Sequence, residues 1–300
     1  MKIKIRYIMA MLTSLCFAVT AVPAEKITVV TSFSILGDIV KQVGKEQVDV
    51  VSLVGSDENA HTYQPSPNDV KAIRKAKLVV VHGLHFDDWM IKLMKSADYQ
   101  AARVVVSRGI SPIEISRQPA HGHNHGDLDP HAWHDITNVI QYVRNLQAAL
   151  SKIDPDHQSA YQANANAYIQ QLENLNRDIN TEINRISKDK RRILTAHNAF
   201  AYLGRRYGLT MIALQGVNPH SEASARDMAN IIRQAKDANV QVMFLENITD
   251  DRVLKQISRE SGVKIGGVLY SDALSKANGP AATYLDLMRF NMKQIVDALK

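Results

Sequence analysis

Two patterns of apolar residues take turns along this chain. Short runs rich in Val, Ile and Leu read as buried strands. The segments between them carry apolar residues every three or four positions, as one face of a helix requires. In the front half the predicted strands are 27–31 (ITVVT), 48–54 (VDVVSLV), 78–81 (LVVV) and 103–106. Three helices are predicted among them. One carries Ile35, Ile39, Val40 and Val43, one opens at Pro67 after the cap residue Ser66 and ends near Ala76, and one covers 86–96. A polar stretch over 107–129, rich in Pro, Gly and His, breaks the pattern. A helix over 137–150 follows, then a longer one over 154–187 with no Gly and no Pro after its start. The strands then resume at 192–195 (RILT), 209–214, 240–245 and 263–269, with helices over 199–207, 224–238, 250–261 and a last one from Pro280.

Alternation of this kind predicts an α/β protein with parallel sheets and right-handed crossovers. The expected architecture is two lobes, each a four-stranded parallel β-sheet with surrounding helices, joined by one long rigid α-helix. The expected divisions are a cleaved leader over 1–24, a first lobe over 25–153, a linking helix over 154–188 and a second lobe over 189–300. Ligands of open parallel sheets bind beyond the carboxyl ends of the strands. The cleft between the lobes is therefore the place to look for a site.

Four residues with metal-binding chemistry stand just past predicted strands. They are His61 (NAHTY), His131 (DPHAW), His197 (LTAHNAF) and Asp272 (YSDAL), two from each half of the chain. A lone histidine is more often a surface or hydrogen-bonded structural residue. The shared placement of all four is what suggests one tetrahedral site with N and O donors. His82 and His85 after the third strand, and His157 in the first turn of the long helix, are expected to be structural or solvent-facing. His220 could contribute to a rim, and Glu222 or Glu246 could orient a ligand histidine by accepting its second N–H.

The segments NAHTYQPSPND, LDPHAWHD, LTAHNAFAYLGRRYGL and LYSDALSKANGPAATYLDLM carry a family likeness. Together they resemble the zinc/manganese-type solute-binding proteins of bacterial metal ABC importers, the TroA-like members of the helical-backbone metal receptor superfamily. The resemblance covers essentially the whole chain after residue 24. It implies two α/β lobes bridged by one long helix, and His61, His131, His197 and Asp272 as ligands. It further implies capture of a divalent ion and its delivery to an inner-membrane ABC permease. One departure is plain: His134 stands where the family has an apolar residue, and Asp135 is followed by Ile136 rather than Pro. His134 is expected to lie behind the site or at the surface.

Three imidazoles and one carboxylate suit Zn²⁺, with Mn²⁺ the alternative. Members that handle manganese or iron often have glutamate where His197 stands, so a histidine there favours zinc. The tract carrying His121, His123 and His125 points the same way: it is either an auxiliary metal-collecting loop, a docking point for a metal donor protein, or a solvated loop without a role. A closed four-ligand shell leaves no position for a reactive water, and the chain has no nucleophile or Walker motif. A binding protein is thus expected rather than an enzyme. The competing reading is a metallohydrolase that uses His61, His131 and Asp272.

Composition narrows the setting. Lys2, Lys4 and Arg6 precede an apolar stretch and Val22-Pro23-Ala24, the layout of an export signal cut after Ala24. The single cysteine, Cys16, lies in that leader, so no disulfide or thiolate ligand is expected afterwards. The leader also accounts for three of the six net positive charges, and those that remain are scattered among acids. Nucleic acid is therefore a poor partner. A monomeric periplasmic protein is expected.

Overall fold

The computed structural model describes residues 25–115, 128–216 and 225–300. The front sheet contains β1 (Ile27–Phe33), β2 (Val48–Val54), β3 (Leu78–Val81) and β4 (Ala102–Val105), in the order β2-β1-β3-β4. The rear sheet contains β5 (Arg192–His197), β6 (Thr210–Gln215), β7 (Val242–Glu246) and β8 (Lys264–Leu269), in the order β6-β5-β7-β8. Every strand pair in both sheets is parallel. The two halves thus repeat one topology, and the restart in the sequence pattern is the restart of the fold. Sheets covered on both faces need apolar residues on both faces, which is why strands such as LVVV do not alternate with polar residues.

Helices α1 (Ser34–Gly44), α2 (Pro67–Lys75) and α3 (Trp89–Ser96) flank the front sheet. Helices α6 (Ala201–Tyr207), α7 (Ala225–Asp237) and α8 (Arg252–Ser261) flank the rear one. Between the two sheets in sequence run α4 (Ile136–Ile153) and α5 (Gln158–Ile183), and α9 (Tyr284–Leu299) closes the chain. Asp135 caps α4 by accepting the Thr137 amide at 2.9 Å, and Thr283 caps α9 through the Asp286 amide. The Ser66 amide donates to Asp69, which fixes the start of α2 at Pro67 as the sequence suggests.

The long helix is shorter than expected. A 3₁₀ turn occupies Pro155–His157, and α5 proper stops at Ile183. Its 26 residues still span about 39 Å. Its buried stripe runs Tyr161, Ala165, Tyr168, Leu172, Leu175, Ile179 and Ile183. That stripe packs on α1, α4, α6 and α9, and so on elements of both halves. One continuous apolar cluster runs from Phe33 and Trp133 through Tyr168 and Leu172 to Phe244 and Tyr284. The halves are therefore stitched by shared core as well as by the helix. Among the described residues, no helix is long and apolar enough to cross a membrane.

One irregularity matters for the site. The β7–β8 register slips between Met243 and Phe244, where Gly266 and Gly267 face β7. A Cβ on Gly266 would lie 2.6–2.8 Å from Val242 and Phe244 side chains, and Gly267 has φ +137°, so both positions require glycine. This bulge sets the register in which Glu246 ends β7 opposite Leu269.

Candidate metal centre

The donor residues arrive by two routes. His61 and His131 lie in loops, each two residues after a side chain that accepts its backbone amide: Asn59 Oδ1 for His61 and Asp129 Oδ1 for His131, both at 2.9 Å. These Asx turns hold each histidine before any ion is present. His197 is not past its strand, as expected, but is the last residue of β5. Its amide donates to Glu246 Oε1 on the neighbouring strand at 3.0 Å. Asp272 lies three residues beyond β8, in a loop fastened to the front half. There the Trp133 indole N–H donates to Ser271 O at 2.9 Å, and the Leu274 amide donates to Ser34 Oγ at 3.0 Å.

All four side chains meet. One donor atom from each of His61, His131, His197 and Asp272 lies within 4.8 Å of the others. Asp272 Oδ2 is 3.0 Å from His61 Nε2 and 3.3 Å from His197 Nε2, while Oδ1 is 3.6 Å from His131 Nε2. Donors held about 2.0–2.1 Å from a tetrahedral ion stand roughly 3.3–3.4 Å from one another. The observed separations bracket that edge. The His131 and His197 rings and Asp272 are fully buried, and the His61 side chain is 2% exposed. Phe86 stands edge-on to His61 at 5.1 Å, and Trp133 to His131 at 5.4 Å, so the walls behind the imidazoles are aromatic.

Burial of unpartnered polar atoms is costly. Yet His131 Nε2, His197 Nε2 and Asp272 Oδ1 are buried without a hydrogen-bond partner. Each points to something that a cation would supply. A carboxylate stands behind two of the rings, hydrogen-bonded to His131 and in ion-pair contact with His197. Asp129 Oδ1 accepts from His131 Nδ1 at 2.8 Å, and Glu246 Oε2 lies 2.6 Å from His197 Nδ1. A carboxylate on Nδ1 leaves the Nε2 lone pair free for a metal and raises its basicity.

The charges follow from this packing. Burial pushes the His61 pKa below the usual histidine value, against the pull of Asp272. Burial also opposes charge on His197, but Glu246 and Asp272 together outweigh it and hold that pKa well above the usual value. Asp272 is buried too, yet His131, His197 and the hydrogen bonds from His197 and His61 hold its carboxyl well below the usual range.

Other sequence candidates fall elsewhere. His82 is buried and bonded to Tyr142 Oη and Gly83 O, each at 2.9 Å, so it is structural. His85 pairs with Asp88 at the surface, and His157 with Asp154. His134 is fully buried against Trp133 and Phe200, with neither ring nitrogen partnered. The surface option for it is thereby corrected: the ring lies in the interior. Residues 1–24, expected to be a leader, the tract with His121, His123 and His125, and both His220 and Glu222 lie outside the described residues. Sequence reasoning overlooked Asp129, although the residue lies within the quoted motif LDPHAWHD, and weighed Glu246 without preferring it.

The profile of the family described as ZnuA, zinc-uptake complex component A, periplasmic, matches residues 29–298. The chain belongs to the ZnuA family. It is 32% identical to the manganese-binding lipoprotein MntA of Halalkalibacterium halodurans, over 93% of this chain and 91% of that protein. It is 31% identical to the iron-binding protein YfeA of Yersinia pestis, over 91% of this chain and 86% of the relative. A manganese-bound periplasmic metal-binding protein from Candidatus Liberibacter asiaticus superposes with a TM-score of 0.81 at 32% identity, covering 92% of this chain and all of its own. The periplasmic zinc-binding protein TroA of Treponema pallidum gives 0.82 at 28% identity, covering 92% of this chain and 99% of its own. The fold found here is thus shared with these solved periplasmic metal-binding proteins.

Proposed function

We propose that this chain is the substrate-binding component of a divalent-metal ABC importer, with His61, His131, His197 and Asp272 as the ligands and zinc as the preferred ion. The observation that carries the reading is the convergence of three imidazole nitrogens and one carboxylate, all buried, with unpartnered atoms facing a common centre. The carboxylates behind His131 and His197 add to it, because each stands on the Nδ1 side of its ring and leaves Nε2 toward the ion. The chain acts outside the inner membrane, as family members named for periplasmic binding do. It hands its ion to a permease that works with an ATPase, and a periplasmic metal donor is a second expected partner. No catalytic step is assigned to it, since four protein donors leave no place for a reactive water.

Three histidines favour zinc over harder ions. Manganese is the second reading, supported by a manganese-binding lipoprotein and a manganese-bound structure, each 32% identical over most of the chain. The division into lobes over 25–153 and 189–300 about a linker over 154–188 is proposed with it, and the His-rich tract is proposed as an auxiliary collecting loop.

Elemental analysis of protein purified from its native compartment under metal-limited growth tests this. One zinc per chain, lost in His197→Ala, is expected. A chain that retains its ion in His197→Ala would remove that residue from the site. Manganese as the sole retained ion would favour the second reading.

A further inference from the structure

Ion release requires the His61 and Asp272 loops to part, since their side chains touch at 3.0 Å and neither is open to solvent. Most of the contacts that hold the Asp272 loop to the front half are buried, as with Trp133 on Ser271 and Ser34 on Leu274. One is not. Asp57 is exposed, four residues before His61, and it joins three loops. Its amide donates to Leu274 O at 2.8 Å. Its Oδ1 accepts from Asn247 Nδ2 at 3.1 Å, and its Oδ2 accepts from the Lys276 amide at 3.3 Å. Asn247 directly follows Glu246, the residue that grips His197, and Leu274 and Lys276 flank the far side of the Asp272 loop. Asp57 also holds φ +57°, a left-handed conformation that costs energy for residues with a Cβ and persists where surrounding contacts fix it.

We propose that Asp57 is a positioning residue that sets how fast the bound cation leaves, by latching the His61 loop to the loops of Glu246 and Asp272. This rests on the ion-binding reading above. Asp57 touches none of the four ligand side chains. Its contacts must break before the loops part, so their loss speeds dissociation. Association starts from separated loops, where those contacts are absent, and is left alone. Because the latch is exposed, a docking permease can reach it without entering the core.

The test uses full-length mature protein loaded with zinc and mixed rapidly with excess chelator. Wild type, Asp57→Gly and Asp57→Asn are compared, with association rates and metal-free melting measured in parallel. Glycine keeps the left-handed backbone and removes both carboxylate contacts; asparagine keeps one accepting oxygen. Asp57→Gly is expected to release zinc about tenfold faster, which is the loss of hydrogen bonds worth roughly 1.4 kcal/mol in all, with association and metal-free melting unchanged. Asp57→Asn is expected to fall between. Release from Asp57→Gly at the wild-type rate would overturn the inference while leaving the ion-binding reading intact, as would an effect on melting or association alone. Wild type that binds neither zinc nor manganese would overturn the ion-binding reading itself, and this inference with it.

Discussion

Glu246 grips His197 at two points: Oε1 accepts the backbone amide at 3.0 Å, and Oε2 lies 2.6 Å from the ring Nδ1. The two residues end neighbouring strands of the rear sheet, so the sheet itself aims the imidazole Nε2 at Asp272. Replacing Glu246 with Gln keeps the shape and removes the charge. Zinc affinity is expected to fall about 10- to 100-fold, the usual effect of losing a partner that orients a ligand. A competition titration against a chelator measures this, and an unchanged Kd would show that Glu246 is not needed.

His134 is fully buried, and both of its ring nitrogens lack hydrogen-bond partners. Burial pushes its pKa down to about 3. An unfolded histidine binds a proton near pH 6.5, so the unfolded state takes up more protons as pH falls below that value. His134 thus costs stability progressively from pH 6.5 down toward its folded pKa. His134→Leu is expected to be more stable than wild type at pH 7, by about 1 kcal/mol. The gap should widen by about 1.4 kcal/mol per pH unit below 6.5. Chemical denaturation of the metal-free proteins at pH 7 and pH 5 reads the difference. A gap that stays constant with pH would refute the assignment.

Much of this was legible in the sequence. Val- and Ile-rich runs marked all eight strands to within two residues at most ends, because sheets covered on both faces leave no polar alternation to blur them. The candidates His61, His131, His197 and Asp272 stood out by their chemistry and their motifs; His197 ends β5 and Asp272 lies three residues past β8, whereas His61 and His131 lie in loops well beyond β2 and β4. What stayed hidden depends on contacts far apart in the chain. The latch from Asp57 to Asn247 and Lys276 spans about two hundred residues and has no local signature. The shared core that joins the halves was hidden for the same reason, since periodicity shows that a face is apolar but not which face it meets. Helix ends also drifted. The last helix starts at Tyr284 rather than Pro280, because Thr283 supplies the cap. The β7–β8 bulge was signalled only by Gly266-Gly267.

The raised His197 pKa gives a proton signature. In the metal-free protein the charged ring contributes stability that is fully present below the ordinary value of 6.5 and is lost as pH rises through its elevated pKa. A metal needs the neutral ring, so binding near neutral pH must expel that proton, and affinity must weaken as pH falls. Calorimetry in buffers of different protonation enthalpy is expected to find about one proton released per zinc at pH 7. No release at that pH would show that His197 is already neutral.

The shared core also limits motion. The Tyr284 hydroxyl donates to Trp133 O at 2.7 Å, and the Tyr284 amide donates to Asp38 Oδ2 at 2.8 Å, both across the two halves and both buried. Small-angle scattering of metal-free and zinc-loaded protein is expected to give nearly superimposable curves. A large change in radius of gyration would mean that the halves swing apart.

The most direct measurement is anomalous diffraction at the zinc edge from crystals grown with one equivalent of zinc. The result expected is a single strong peak about 2.0–2.2 Å from Nε2 of His61, His131 and His197 and from a carboxylate oxygen of Asp272. A peak bound elsewhere, with these four side chains contacting no ion, would contradict the assignment of the site.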